Sequence, residues 1–129
     1  MAPARRLRER GMTDRRTIAR PRLPHHNLLA YEVALELLSA VRAAEIRDAK
    51  LRDQAMRAAK SAALNVAEAA GRVSPADRAR VFAIARGEAM EAAAAVEIAV
   101  LAYDADGDAF EACLPIAERL VALLTGLCR

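Results

Sequence analysis

Apolar residues recur at helical spacing in four stretches of the chain, separated by short breakers. The first stretch, Leu28 to about Ala44, carries Leu28, Leu29, Tyr31, Val33, Leu35, Leu37, Leu38 and Val41. Its stripe is wide, and only Glu32, Glu36 and Ser39 form a clear polar strip, so this helix needs cover on more than one side. Pro21, Pro24 and His25-His26-Asn27 interrupt the chain before it, and Asn27 is the expected N-cap. The second stretch, about Asp48 to Ala70, has a face of small residues: Ala55, Ala58, Ala59, Ala62, Ala63, Val66 and Ala69. Small side chains let helix axes approach closely. Gly71 is placed to end this helix as a C′ residue.

Ser74-Pro75-Ala76-Asp77 is the strongest boundary signal: an N-cap, a proline at the first helical position and an acid at the third. The helix it opens runs to about Tyr103 and should be roughly 43 Å long. Phe82, Ala85, Ala89, Ala93, Val96, Val100 and Tyr103 share one side of it. Gly87 lies inside, at a cost of about 1 kcal/mol relative to alanine; a close helix contact is the simplest reason to tolerate it. Asp104-Ala105-Asp106-Gly107-Asp108 reads as a turn, and Asp108 with Glu111 repeats the capping pattern. The fourth stretch, Asp108 to Leu127, aligns Phe110, Cys113, Leu114, Ala117, Leu120, Leu124 and Leu127. Pro115 should kink this helix or mark its true start. Short connections make neighbours antiparallel, so the expected fold is all-α, an up-down-up-down four-helix bundle.

Composition agrees. A chain of 129 residues suits one domain, and 55 % hydrophobic with 29 % charged residues favours folding over disorder. Ala, Leu, Arg and Glu dominate, all strong helix formers. Aromatics at 3 %, five Gly and five Pro argue against a β-sandwich and against an aromatic-rich RNA-recognition sheet. The net charge of +3 hides an asymmetry. Residues 1–24 carry eight Arg against Glu9 and Asp14, whereas residues 25–129 carry 12 basic and 15 acidic residues and are mildly acidic. The organisation expected is a basic arm over residues 1–26, disordered or partly helical, and a bundle domain over residues 27–129. The arm has no apolar core of a secretory signal. It reads as a phosphate-attracting tail or as a leader upstream of a start at Met12. The longest apolar run, Ala92 to Tyr103, is broken by Glu97, so no spanning helix and no membrane partner are expected. Cys113 and Cys128 read as reduced thiols, which fits a cytoplasmic protein.

The polar residues of the second helix are the most informative. Gln54, Arg57, Ser61, Asn65, Glu68 and Arg72 are spaced by three or four and lie along one stripe. Such a stripe is either a solvated face or a polar seam against another helix or subunit, where Asn and Arg fix register. Catalytic constellations fail. A di-metal carboxylate site needs Glu-x-x-His motifs, and the only histidines, His25 and His26, precede the first helix. A calcium loop beginning at Asp104 would need Gly and Glu where Ala109 and Pro115 stand. Ser61 has no His partner nearby on its helix. No catalytic residue, metal or cofactor is expected, and a non-enzyme is the reading.

The segment Gln54-Ala-Met-Arg57-Ala58-Ala-Lys-Ser61-Ala62-Ala-Leu-Asn65-Val66-Ala67-Glu68-Ala69 resembles the signature of a bacterial four-helix bundle family first found encoded in intervening sequences of large-subunit ribosomal RNA genes. A second, weaker match is Phe82-Ala-Ile-Ala85-Arg86-Gly87-Glu88-Ala-Met-Glu91. The resemblance covers about residues 27–128. Ala62, Ala69 and Glu88 depart from the usual Ile, Gly and Ser, Met56 stands where an arginine is usual, and Ala93 where a second glutamate is. The resemblance implies a left-handed antiparallel bundle, a ring-like homopentamer, and kinship with accessory proteins of retroelements that bind a reverse transcriptase and nucleic acid without being enzymes. The seam, with Gly87 and Glu91, then becomes the expected oligomer contact. Lys50, Arg52, Lys60, Arg78, Arg80 and Arg86 become the expected nucleic-acid contacts, clustered by assembly into a basic ring. The competing expectation is a protein–protein adaptor or structural oligomer that binds no nucleic acid.

Overall fold

The computed structural model describes residues 23–129, and the basic arm expected at the N-terminus lies, up to residue 22, outside the described residues. A short 3-10 turn, Pro24–Asn27, leads into four helices: α1 (Leu29–Ala43), α2 (Ala49–Gly71), α3 (Pro75–Leu101) and α4 (Ala109–Leu127). No strand is present among the described residues. Each helix packs against its neighbours in sequence, and α1 closes the square against α4. The diagonal pair α1–α3 touches little, and α2 and α4 do not touch. This is the up-down-up-down arrangement.

The pairs are unequal. The contact between α2 and α3 is by far the most extensive. The buried residues of these two helices are mostly alanine: Ala55, Ala58, Ala59, Ala62 and Ala69 on α2, and Ala85, Ala89, Ala92, Ala95 and Ala99 on α3, with Val66, Val81, Phe82 and Val96 among them. A methyl group on each side lets the backbones come close along the length of both helices. The larger core residues are Val33, Leu37 and Val41 of α1, Leu120 and Leu124 of α4, and Phe82 of α3, joined by Ile46, Val66, Val81, Val96 and Cys113. No polar or charged residue is buried, and no buried side-chain polar atom lacks a partner, among the described residues.

Two of the helix starts are capped by side chains. Asp48 accepts from the Leu51 amide at 2.9 Å and Ser74 from the Asp77 amide at 3.0 Å. Three boundaries differ from expectation. Asn27 does not cap α1; it ends the 3-10 turn, and Leu28 takes the cap position without a side-chain bond. Gly71 is the last helical residue of α2, not a left-handed C′ residue, and Arg72 leaves the helix in extended conformation. Asp108 has αR backbone angles (φ −87°, ψ −5°), which a capping box does not use, and its side chain makes no cap bond. Pro115 lies inside α4, which starts before it at Ala109; the ladder loses the amide that would reach Glu111.

One end of the bundle is clipped together. The Arg47 amide donates to the Asp104 carbonyl at 2.7 Å, and the Arg47 guanidinium donates to the Tyr103 carbonyl at 2.8 Å, with Asp106 at 3.5 Å. This joins the α1–α2 loop to the α3–α4 loop. Glu45 (φ 46°) and Tyr103 (φ 62°) hold left-handed backbone in these two loops, a conformation that costs about 1–2 kcal/mol for residues other than glycine. Tyr103, expected on the buried side of α3, is past the end of that helix and exposed.

The alanine contact sets a stability prediction. Ala62→Leu, at a fully buried position of α2, should lower the urea midpoint by an amount worth about 1–3 kcal/mol. Ala122→Leu, on the exposed side of α4, should leave it within about 0.5 kcal/mol.

Candidate functional site

The polar stripe of α2 runs along the flank that faces α3. Arg72, just past the end of α2, pairs with Asp77 in the first turn of α3 at 3.3 Å and with Glu68 one turn back at 3.2 Å. That pair ties the end of α2 to the first turn of α3. Gln54, Arg57 and Glu68 are exposed, whereas Ser61, Asn65 and Arg72 are half-buried. Asn65 Nδ2 donates to the Ser61 carbonyl at 2.9 Å and reaches Ser61 Oγ at 3.2 Å. The amide is thus held within its own helix, with no bond across to α3 among the described residues.

Gly87 and Glu91 are both exposed. A Cβ placed on Gly87 would meet no atom within 4 Å. The close contact expected at Gly87 therefore does not exist within one copy; the residue faces open space on the outer side of α3.

The six basic residues fall into separate places. Lys50 and Arg52 are in the first turn of α2, and Arg78 and Arg80 in the first two turns of α3, at the opposite end of the bundle and roughly 30 Å away along α2. Arg52 donates to the Ile46 carbonyl at 3.2 Å, Arg78 to the Val73 carbonyl at 3.4 Å, and Arg80 is held by Asp77 at 2.8 Å. Arg86 faces the other way: its Nε donates to Thr125 Oγ1 of α4 at 2.8 Å, and it is half-buried. Lys50 and Lys60 make no ion pair among the described residues.

Two features of the surface were not singled out in the sequence. Ile84, Gly87, Glu91, Ala94, Ile98 and Leu101 follow one another at steps of three and four on the outside of α3. Met90 adjoins this row, and Ile84, Met90, Ile98 and Leu101 are exposed, Leu101 by 75 %. A helix that is apolar inside and outside belongs in an interior. The signal was the run from Ala92 to Tyr103, read only for its failure to span a membrane. The second feature is a shallow, open furrow between side chains on the outside of α2, lined by Asp53, Met56, Arg57, Lys60, Ser61 and Leu64. Leu64 is 71 % exposed at its edge.

Chemistry-bearing groups are few. No three His, Cys, Asp or Glu among the described residues are placed to hold a metal ion. His25 and His26 stack at 4.1 Å and close on Tyr31, with the His25 ring 4.6 Å from it. Partial burial and the neighbouring His26 lower the His25 pKa below its ordinary value. Cys113 is a buried thiol whose pKa burial pushes up; Cys128 is half-buried, and both are free. No helix of the described residues is long and apolar enough to cross a membrane.

A family model described as 23S rRNA-intervening sequence protein matches residues 27–126. No curated protein matches the chain.

The Asp77 cluster predicts a pH effect. The hydrogen bond from Arg80, aided by the charges of Arg72 and Arg80, holds the Asp77 carboxyl below the ordinary carboxylate range. A carboxylate with a depressed folded pKa stabilises the fold above its unfolded pKa, and that contribution fades as pH falls through the folded value. Asp77→Asn should therefore reduce the difference in melting temperature between neutral pH and pH about 3, measured on both proteins in one buffer series.

Proposed function

Because the chain belongs to the 23S rRNA-intervening sequence protein family, we propose that it is a non-catalytic scaffold that works as a homopentamer and binds nucleic acid or a nucleic-acid enzyme such as a reverse transcriptase. The observation that carries self-association is the outer side of α3. Ile84, Met90, Ile98 and Leu101 face solvent in one copy, on a helix whose inner side already fills the core. Exposing that row costs on the order of 25 cal/mol for each Å² of apolar surface, which a second copy recovers. The polar stripe from Gln54 to Arg72 borders the same side of the molecule and supplies polar register marks beside it.

Support for nucleic acid is of a different kind. The bundle from residue 25 onward is acidic in balance, and basic residues dominate before it. Lys50 and Lys60 are free of ion pairs among the described residues, whereas Arg80 and Arg86 are held by Asp77 and Thr125. Five copies would multiply the free cations around a ring. The separation of the basic residues along α2 and α3 favours, as the second reading, a protein adaptor that binds no nucleic acid.

Light scattering coupled to size exclusion should give about five times the chain mass; a single-chain mass at all accessible concentrations overturns the scaffold. Asn65→Leu should change that mass while helicity by circular dichroism stays within error. In gel shifts with single-stranded RNA and duplex DNA, affinity should fall by at least tenfold between about 50 and 200 mM salt. Absence of a shift at low salt selects the adaptor.

A further inference from the structure

We propose that the outward row of α3 in one copy seats in the outward furrow of α2 in the next copy. The inference rests on the self-associating reading and names its two faces. They fit in three respects. The first is spacing. Asp53, Arg57, Lys60, Leu64 and Ala67 repeat at steps of four and three along the outside of α2. Ile84, Gly87, Glu91, Ala94, Ile98 and Leu101 repeat at three and four along α3. Two helices with that spacing interlock at a shallow crossing angle, side chains of one entering gaps of the other.

The second is charge. The furrow offers Arg57 and Lys60 against the single acid Asp53. The α3 row carries Glu91, with Glu97 beside it and no base between Gly87 and Leu101. None of Arg57, Lys60, Glu91 and Glu97 makes an ion pair among the described residues. Opposite potentials on two apolar faces set which face meets which and reject each face meeting itself. The third is shape. Leu64 and Met56 stand along the furrow, and Gly87 leaves a gap in the α3 row where no atom of its own copy lies within 4 Å of a Cβ. A glycine that its own copy does not require has a use where a neighbour's side chain enters.

Joining two different faces makes the contact heterologous. Each copy added leaves one face of each kind open until the set closes on itself, so the assembly is a ring or a filament and not a two-fold dimer. The faces lie on adjacent helices, α2 and α3, so successive copies turn about an axis.

Charge reversal tests the pairing in the full chain. R57E/K60E and E91K/E97K alter exposed residues only, so both should keep wild-type helicity. Each alone should associate at least tenfold more weakly than the wild type by sedimentation or light scattering. The quadruple variant R57E/K60E/E91K/E97K should regain the wild-type mass, because every contact then pairs a reversed face with its complement in a ring of any number of copies. If either double variant alone keeps the wild-type mass, or if the quadruple variant stays as small as the double variants, the pairing is wrong. A wild-type chain that is monomeric in the same measurements overturns instead the scaffold reading on which the pairing rests. Gly87→Leu should weaken association in the same assay without a fall in melting temperature of the dissociated chain; unchanged association removes the role given to that gap.

Discussion

The close approach of α2 and α3 governs the molecule. Both helices bury mostly alanine: Ala55, Ala58, Ala59, Ala62 and Ala69 on one, Ala85, Ala89, Ala92, Ala95 and Ala99 on the other. A buried alanine methyl contributes on the order of 1 kcal/mol, against about 1.5–3 for a buried leucine or isoleucine. The longest contact in the bundle therefore gains more from proximity and dispersion than from burial of large groups. The large aliphatic residues of α3 are displaced outward, to Ile84, Met90, Ile98 and Leu101. Tight inside and greasy outside are two results of one choice of residues.

That inversion explains what the sequence disclosed and what it withheld. The helix count, the antiparallel order and the small-residue face of α2 were legible, because a strong phase separates Ala55, Ala58, Ala62, Val66 and Ala69 from Gln54, Arg57 and Glu68. The phase of α3 was legible in part: Phe82, Ala85, Ala89 and Val96 are buried as their spacing predicts, and Ala93 and Val100 pack at the edge of the core. A helix with apolar residues on its outer side as well blurs the boundary of its inner face, so the buried Val81, Ala92, Ala95 and Ala99 do not stand out in the pattern and Tyr103 falls outside it. Caps divided along similar lines. Ser74 and Asp48 precede chain that leaves a loop in extended conformation, and their oxygens reach the third amide. Asn27 and Asp108 have suitable side chains but lie in a 3-10 turn and at αR backbone angles, where that reach is lost. Residue type proposes a cap; backbone direction decides it.

The candidate site was legible in part. The residues from Gln54 to Arg72 share one side of α2 as their spacing requires, but that spacing does not say what they face; Gln54, Arg57 and Glu68 are exposed, and Ser61, Asn65 and Arg72 are half-buried. Their chemistry is more local than a seam requires, since Asn65 is satisfied by Ser61 and Arg72 by Glu68 and Asp77. The basic residues were expected to cluster by assembly of copies; within one copy, Lys50 and Arg78 lie at opposite ends of the bundle and Arg86 is turned toward Thr125. Partners seven to forty residues away, such as Thr125 for Arg86, cannot be read from periodicity.

The Arg47 clip has a mechanical consequence. The two hairpins, α1–α2 and α3–α4, are stapled at the end where both of their loops lie, by bonds from one residue to Tyr103, Asp104 and Asp106. The other end is held differently: the α2–α3 connection joins the hairpins covalently there, and Arg72 pairs with Asp77 across it at 3.3 Å. With the covalent link at one end and the staple at the other, the hairpins can swing apart about their connection only after the staple has parted, and a hairpin can leave to join another copy only by the same route.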